Sequence, residues 1–510
     1  MSLTISSTIG NGSMLLAHPS RNIPAYAQIE FQSDQAVNEL LLTSPIGYLE
    51  LSQGLSKINQ AEFDILGDMF EPGERFPETA LGSIYPRVSD ESGLAGLIHA
   101  SLLISRKVIP RSSQGLSKDI SSSVEKHPFY IPQQTRPWLD QGNGFQRLAI
   151  LIQMENISNK RNYLVLREPG IPKPLPKVQP YLSGNEPILI PLGGKSAREL
   201  QQQIQVLEAD LKTTVPLKQL AKDVYAKFSS AQQPGFVCTF MGSNQEDFLK
   251  EITHAKKGIP QAFKTGKTWS SPKGSYFAPQ PLGKEGVAFV YPGAFNSYPG
   301  MGRELFEYFP HLHQLVKKTI QNISYSLAEE LLFPRYLHPD RENQANGQTH
   351  NLYDHPSELI ESGISISVLH TMILRNIFDI SPKAAFGYSL GEISMLFGNN
   401  IWQNAGKSSD KFKSSPMFRT QLFGQMNTVR SFWKDENLGD KFWGSYILKA
   451  PVHEVEIALE KESQVFLTII NTPDEVVIAG KIDACKRVIS EMGCHALSMP
   501  FNSAIHNPAI

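Results

Sequence analysis

Five hundred and ten residues at about 150 per domain imply two to four folded units, so one small module is excluded. Lys plus Arg total 48 against 49 Asp plus Glu, and this balance removes any electrostatic case for nucleic acid as a partner. Apolar residues at 41% suffice for a buried core, yet no run approaches the ~20 residues of a membrane span; with no basic-then-apolar start either, a cytoplasmic location is expected.

Residues 1–80 show little periodicity apart from an expected helix at Asn59–Phe70. Gly93–Arg106 carries Leu94, Leu97, Ile98, Leu102 and Ile104 at helical spacing and predicts a buried helix. Residues 107–190 are rich in Pro and Gln (PFYIPQQTRPW, EPGIPKPLPKVQP) and read as a linker or irregular wrap, because proline lacks the N–H that regular elements use. An amphipathic helix is predicted at Ser196–Lys212 and a strand and helix at Gly235–Ile252. A second linker, His254–Lys284, holds Lys256, Lys257, Lys264, Lys267 and Lys273.

From Gly286 the run VAFVYPG reads as a buried strand ending at a tight turn. Helices before Phe309, at Glu361–Phe378 and from Leu390, with a strand at Lys383–Phe386, give the alternation of a parallel sheet covered by helices. Residues 444–499 have their own rhythm: strand GSYILKA, helix Val455–Glu460, strands VFLTIIN and EVVIAG, helix Ala484–Met492 and strand CHALSMP. That βαββαβ order is ferredoxin-like.

The chemistry concentrates at Gly387-Tyr388-Ser389-Leu390-Gly391. It fits G-x-S-x-G, a sharp strand-to-helix turn that lifts a serine above a sheet. A serine hydroxyl needs a positioned base, normally histidine. Several histidines compete on residue reading alone: His370 lies on an apolar helix and reads as a core or surface histidine, while His506 in NSAIHNPAI comes just after the ferredoxin-like unit, where a returning loop could face the elbow. Cys238, Cys485 and Cys494 are too scattered for disulfides or zinc and read as buried thiols. Thirteen histidines without an HExxH give no support for metal chemistry.

Residues 286–510 resemble the malonyl/acyltransferase domains of fatty acid and polyketide synthases. The resemblance lies in GVAFVYPGAFNSYPGMGRELF, GYSLGE, NTPDEVVIAG and FNSAIHNPAI, four segments in the family's order. It implies an acyltransferase fold, with a parallel-sheet α/β-hydrolase-like large subdomain and a ferredoxin-like small one. It further implies Ser389 as nucleophile, His506 as base, the backbone N–H groups of Leu390 and Ala294 as oxyanion hole, and Tyr388 as a substrate-binding neighbour. Residues 48–106 resemble the C-terminal part of a ketosynthase, strongly around SGLAGLIHASLLISRKVIP. The family's two histidines fall at Gln53 and Asp90 and the cysteine-bearing half is absent, which excludes condensation chemistry. The resulting division is a degenerate α+β ketosynthase-like remnant at 1–130, a ketosynthase-to-acyltransferase linker at 131–285, and an acyltransferase domain at 286–510 that reads as C-terminally truncated at Ile510.

A ketosynthase remnant fused to GYSLGE is similar to the acyltransferase (B) subunits of bacterial polyunsaturated fatty acid synthases. This implies transfer of an acyl group from an acyl-CoA or carrier-protein thioester to the phosphopantetheine thiol of an acyl carrier protein, beside other synthase subunits and with no bound cofactor. A serine thioesterase or hydrolase, or a non-catalytic scaffold, is the alternative. Malonyl-specific members place an arginine where Leu422-Phe423-Gly424-Gln425-Met426 puts Phe423, which implies an uncharged acyl chain. Arg419, one helical turn earlier, is the other candidate for a carboxylate. The lysines from 256 to 273 offer a landing strip for an acidic carrier protein or a plain solvated face.

Overall fold

A computed structural model describes residues 2–7, 10–15, 27–32, 44–52, 54–69, 79–84, 94–112, 129–142, 146–154, 161–169, 187–230, 234–280, 282–335, 355–403, 414–435, 437–439, 441–499 and 503–510, with a few isolated positions. Gln53 and Asp90 lie outside them. The chain divides into two compact units, the first made of residues 1–179, 290–380 and 385–510, the second of 180–289 with 381–384.

In the first unit, strands β1 (Gln28–Gln32), β2 (Tyr48–Leu51), β3 (Thr79–Gly82), β4 (Phe129–Tyr130), β5 (Leu148–Met154) and β6 (Arg161–Arg167) form one mixed sheet. Its order is β1-β6-β5-β2-β3-β4. β1, β6 and β5 run antiparallel, while β5, β2, β3 and β4 run parallel. Both faces are covered, which is why β5 reads as the unbroken apolar run LAILI rather than as an alternation. Leu148, Ile150 and Ile152 join Phe63 and Leu66 of helix α1 (Gln60–Met69) on one side. Ala149 and Leu151 join Ala100, Leu103 and Ile104 of helix α2 (Leu94–Arg106) on the other. These strands correct the expectation of an irregular wrap over 107–190, since the prolines flank β5 and β6 and interrupt neither. The proline-rich segment 170–186 lies outside the described residues.

The second unit is an antiparallel sheet of β7 (Ile188–Gly194), β8 (Phe236–Gly242), β9 (Trp269–Ser270) and β10 (Tyr276–Phe277), in the order β7-β8-β10-β9. Helices α3 (Ala197–Leu211), α4 (Leu217–Ser230) and α5 (Gln245–Thr265) belong to it. α3 starts where the Ser196 hydroxyl accepts the Glu199 N–H, and buries Leu200, Ile204, Leu207 and Leu211 at helical spacing. α5 corrects the expected linker start at His254. It continues through Pro260 to a left-handed cap at Gly266, because Phe248, Ile252, Ala255, Ile259 and Ala262 form one buried stripe. The lysines on and after it are not all free, since Lys256 pairs with Glu208 and Lys273 with Asp247.

Strand β11 (Ala288–Tyr291), at the boundary of the two units, leads into the first unit's helices α6 (Arg303–Tyr308), α7 (Leu312–Val316) and α8 (Pro356–Asn376), then to strand β12 (Ala384–Gly387) and helix α9 (Gly391–Gly398). β11 and β12 run in the same direction, with Tyr388 N donating to Tyr291 O at 3.0 Å, and form a sheet of only two strands among the described residues. One face is held by buried Tyr291, whose hydroxyl bonds Thr371 of α8 and Asn399 after α9. Val290 and Phe386 on the other stand 63% and 57% exposed.

Residues 443–498 carry strand β13 (Trp443–Lys449), helix α10 (Val452–Leu459), strands β14 (Val465–Thr472) and β15 (Glu475–Lys481), helix α11 (Ile482–Met492) and strand β16 (His495–Ser498). The sheet is antiparallel in the order β14-β15-β13-β16, which is the ferredoxin-like arrangement expected of this stretch. Cys238 and Cys485 are buried, and burial pushes both thiols up to about 12; Cys494 is half-buried.

Candidate active site

Ser389 stands between β12 and α9 in a left-handed backbone conformation, φ 53°, that a non-glycine residue adopts only where its surroundings impose it. The glycines of the motif impose it. A Cβ on Gly387 would overlap the Gly391 carbonyl carbon, and one on Gly391 would overlap the Tyr291 carbonyl oxygen. The turn is therefore too tight for side chains at either position. That tightness lifts Ser389 clear of the strand.

Of the two candidate bases the serine meets His506, across 117 positions of sequence, with Oγ and Nε2 2.7 Å apart. His370 stays on α8. His506 also has positive φ, 56°, as does Phe295 at 67° in the turn after β11, so three strained non-glycine residues gather around one nucleophile. The base is held from behind: Ala504 N donates to Leu422 O at 2.8 Å and Trp443 Nε1 to Ser503 O at 3.0 Å. Among the described residues neither the Leu390 nor the Ala294 N–H donates a hydrogen bond, so both amides are available to an oxygen bearing negative charge.

Ala294, Leu390 and Ile505, the neighbours of these groups, pack into one apolar cluster with Phe295, Leu359, Ile360, Leu422 and Phe423. Phe423 is 4% exposed, edge-on to Phe295 at 5.9 Å and stacked on Phe418 at 6.3 Å between ring centroids. Arg419 sits exposed on the π-helical turn Met417–Gln421, next to Phe418, which packs against that cluster. The structure thus brings together Ser389, His506, Leu390, Ala294 and Phe423, while the Arg419 side chain is exposed.

Tyr388 is present too, but its hydroxyl is engaged, donating to Asn471 Oδ1 at 2.8 Å. Burial, then the Glu475 carboxylate, raises its pKa. Sequence reasoning does not reach Asn471, which lies at the end of β14. No group of three His, Cys, Asp or Glu side chains among the described residues is arranged to hold a metal, and no helix among them is long and apolar enough to cross a membrane.

No protein-family profile matches the chain. It is homologous to the B subunit of the polyunsaturated fatty acid synthase of Thraustochytrium sp., 27% identical over 485 residues that cover 88% of this chain and 23% of that protein. It is also similar to the non-reducing polyketide synthase nscA of Trichophyton rubrum, 23% identical over 490 residues, covering 91% and 25%, and to desertorin synthase of Aspergillus desertorum, 22% over 349 residues, covering 66% and 18%. The chain spans about a quarter or less of these relatives' length. Solved acyltransferase domains superpose only in part. The domain from module 8 of the salinomycin polyketide synthase gives a TM-score of 0.43 at 16% identity, covering 63% of this chain and 68% of that one. The corresponding domain of ZmaA gives 0.43 at 12%, covering 62% and 65%.

Proposed function

We propose, from homology with the B subunit of a polyunsaturated fatty acid synthase, that this chain is an acyltransferase of that multienzyme type. It would carry an acyl group from a thioester donor through an ester on Ser389 to the phosphopantetheine thiol of an acyl carrier protein. The observation that carries the reading is the 2.7 Å contact of Ser389 Oγ with His506 Nε2 at a strained strand-to-helix turn. In the first half-reaction Oγ attacks the thioester carbonyl while Nε2 takes its proton. The oxyanion lies against the Leu390 and Ala294 amides, and on collapse the departing thiolate takes the proton from the imidazolium. The second half runs in reverse: the carrier thiol gives its proton to Nε2, its sulfur attacks the ester, and Ser389 leaves with that proton. No metal or redox partner is called for by these steps, and the chemistry balances with the two thiols alone.

The substrate side of the reading rests on Phe423. A free malonyl carboxylate beside this ring would be buried without a cation, at a cost on the order of several kcal/mol. The acyl group is therefore uncharged. Phe423→Arg should shift competition between malonyl-CoA and butyryl-CoA toward malonyl by at least about tenfold, read as the ratio of the two Ser389 adducts. An unchanged ratio in a variant that melts like the wild type would sink this assignment.

The transfer itself is tested by intact-mass spectrometry after incubation with a panel of acyl-CoAs, beside Ser389→Ala. An adduct present in the wild type and lost in the variant supports the acyl-enzyme; none from folded protein overturns it. His506 is solvent-exposed, which admits water as an alternative acceptor and keeps a thioesterase reading in play. Free acid formed at the same rate with and without carrier protein would favour that second reading.

A further inference from the structure

Tyr388 touches three separate pieces of the site at once. Its backbone N–H is bonded to Tyr291 O at the end of β11. Its ring lies against Gly293, where a Cβ would stand 2.8 Å from Tyr388 Cδ1, so only glycine leaves room for the ring over the turn that leads to the Ala294 amide. Its hydroxyl reaches out to Asn471 Oδ1 at the end of β14, and Asn471 in turn donates from Nδ2 to Glu475 Oε1 at 3.1 Å, at the start of β15. The amide group of Asn471 is thereby oriented from both ends. The 44% exposure of Tyr388 means that bulk packing does not hold the ring, so these specific contacts do.

The placement has a mechanical meaning. Ser389 belongs to the β12–α9 elbow, while His506 follows β16, so the nucleophile and its base arrive on different pieces of the unit. Among the described residues two side-chain hydrogen bonds cross from the elbow to the later piece: Ser389 to His506, and one residue away Tyr388 to Asn471. The first is broken and remade in any acyl transfer. The second takes no part in the chemistry and can hold the register while the first changes.

Resting on the transferase reading above, we infer that Tyr388, through Asn471, is a positioning residue that clamps the β14–β15 hairpin to the nucleophile elbow and the Ala294 turn. A phenol is protonated at neutral pH in any case, and burial, then Glu475, raises this one further, so the hydroxyl remains a donor there.

Tyr388→Phe removes the hydroxyl and keeps the ring over Gly293. The rate constant for Ser389 acylation at saturating donor should fall by about tenfold, with the half-saturating donor concentration unchanged. Asn471→Ala should give the same loss, and the double variant no more than either single one. Amide hydrogen exchange over residues 465–481, which needs no catalysis, should quicken in both. Unchanged exchange with unchanged acylation, or losses that add in the double variant, would overturn the clamp. If the wild type itself fails to acylate, the transferase reading falls while the exchange comparison still decides the clamp.

Discussion

His506→Ala should lower the rate of Ser389 acylation by about a thousandfold while leaving the melting transition where it is. The size follows from the chemistry: at neutral pH the serine hydroxyl holds its proton, and His506 Nε2, 2.7 Å away, is placed to take it. The neutral thermal effect follows from exposure, because the imidazole lies at the surface while the apolar support comes from Ala504, Trp443 and Val429. Nε2 accepts the proton only in the tautomer that carries hydrogen on Nδ1. Timed intact-mass measurement of adduct growth checks the prediction, and a variant within tenfold of wild type would mean that another group serves as base.

The second large effect concerns stability. Glu329 is buried and ion-paired to both Arg136 and Arg335, and the Ser324 hydroxyl donates to its other oxygen at 2.6 Å. Both guanidinium groups also lie over the Tyr130 ring, at 5.2 and 5.3 Å from its centroid. Burial alone would raise the carboxyl, but the two arginines overcome it and hold the group at about 2 against its ordinary 4.5. A depressed carboxylate contributes stability that is fully present above its unfolded value, and that contribution is lost as pH falls from about 4.5 toward 2. The contribution is on the order of 3 kcal/mol. Glu329→Gln removes the counter-charge that the two buried guanidiniums share and should destabilise the first unit by about 3–5 kcal/mol. Urea unfolding followed by tryptophan fluorescence at pH 7 and pH 3.5 measures both. The wild type should lose stability on acidification and the variant should lose less. Equal losses would assign the acid sensitivity to other carboxylates.

Much of the local architecture is legible because it is written in short-range pattern. The βαββαβ rhythm of residues 444–499 shows in its own periodicities, and the G-x-S-x-G elbow shows in glycines whose Cβ atoms would collide with backbone. What escapes is written in long-range pairing. β5 and β6 hide between proline-rich flanks, and their place in the sheet depends on β2, a hundred residues earlier in the chain. α5 runs past the apparent break at Pro260 because its buried stripe outweighs one missing N–H. Asn471 meets Tyr388 from 83 positions away and Arg136 meets Glu329 from 193, separations at which no local signal exists. The choice of His506 over His370 comes from the family resemblance rather than from spacing, and the folded chain puts the His506 ring 2.7 Å from the serine.

The interleaving of the two units bears on synthesis. Residues 180–289 fall almost wholly in one contiguous stretch, so the second unit has nearly all of its partners once that stretch has emerged. The first unit does not: Arg136 must wait for Glu329, 193 residues later, which at about 5–20 residues per second is roughly 10–40 s on the ribosome. Throughout that interval Arg136 lacks the Glu329 carboxylate that pairs with it in the folded chain. The opening segment has its strands and covering helices early, but its buried arginine waits for a partner from much later in the chain, so the first unit reaches its final electrostatic balance only late in synthesis.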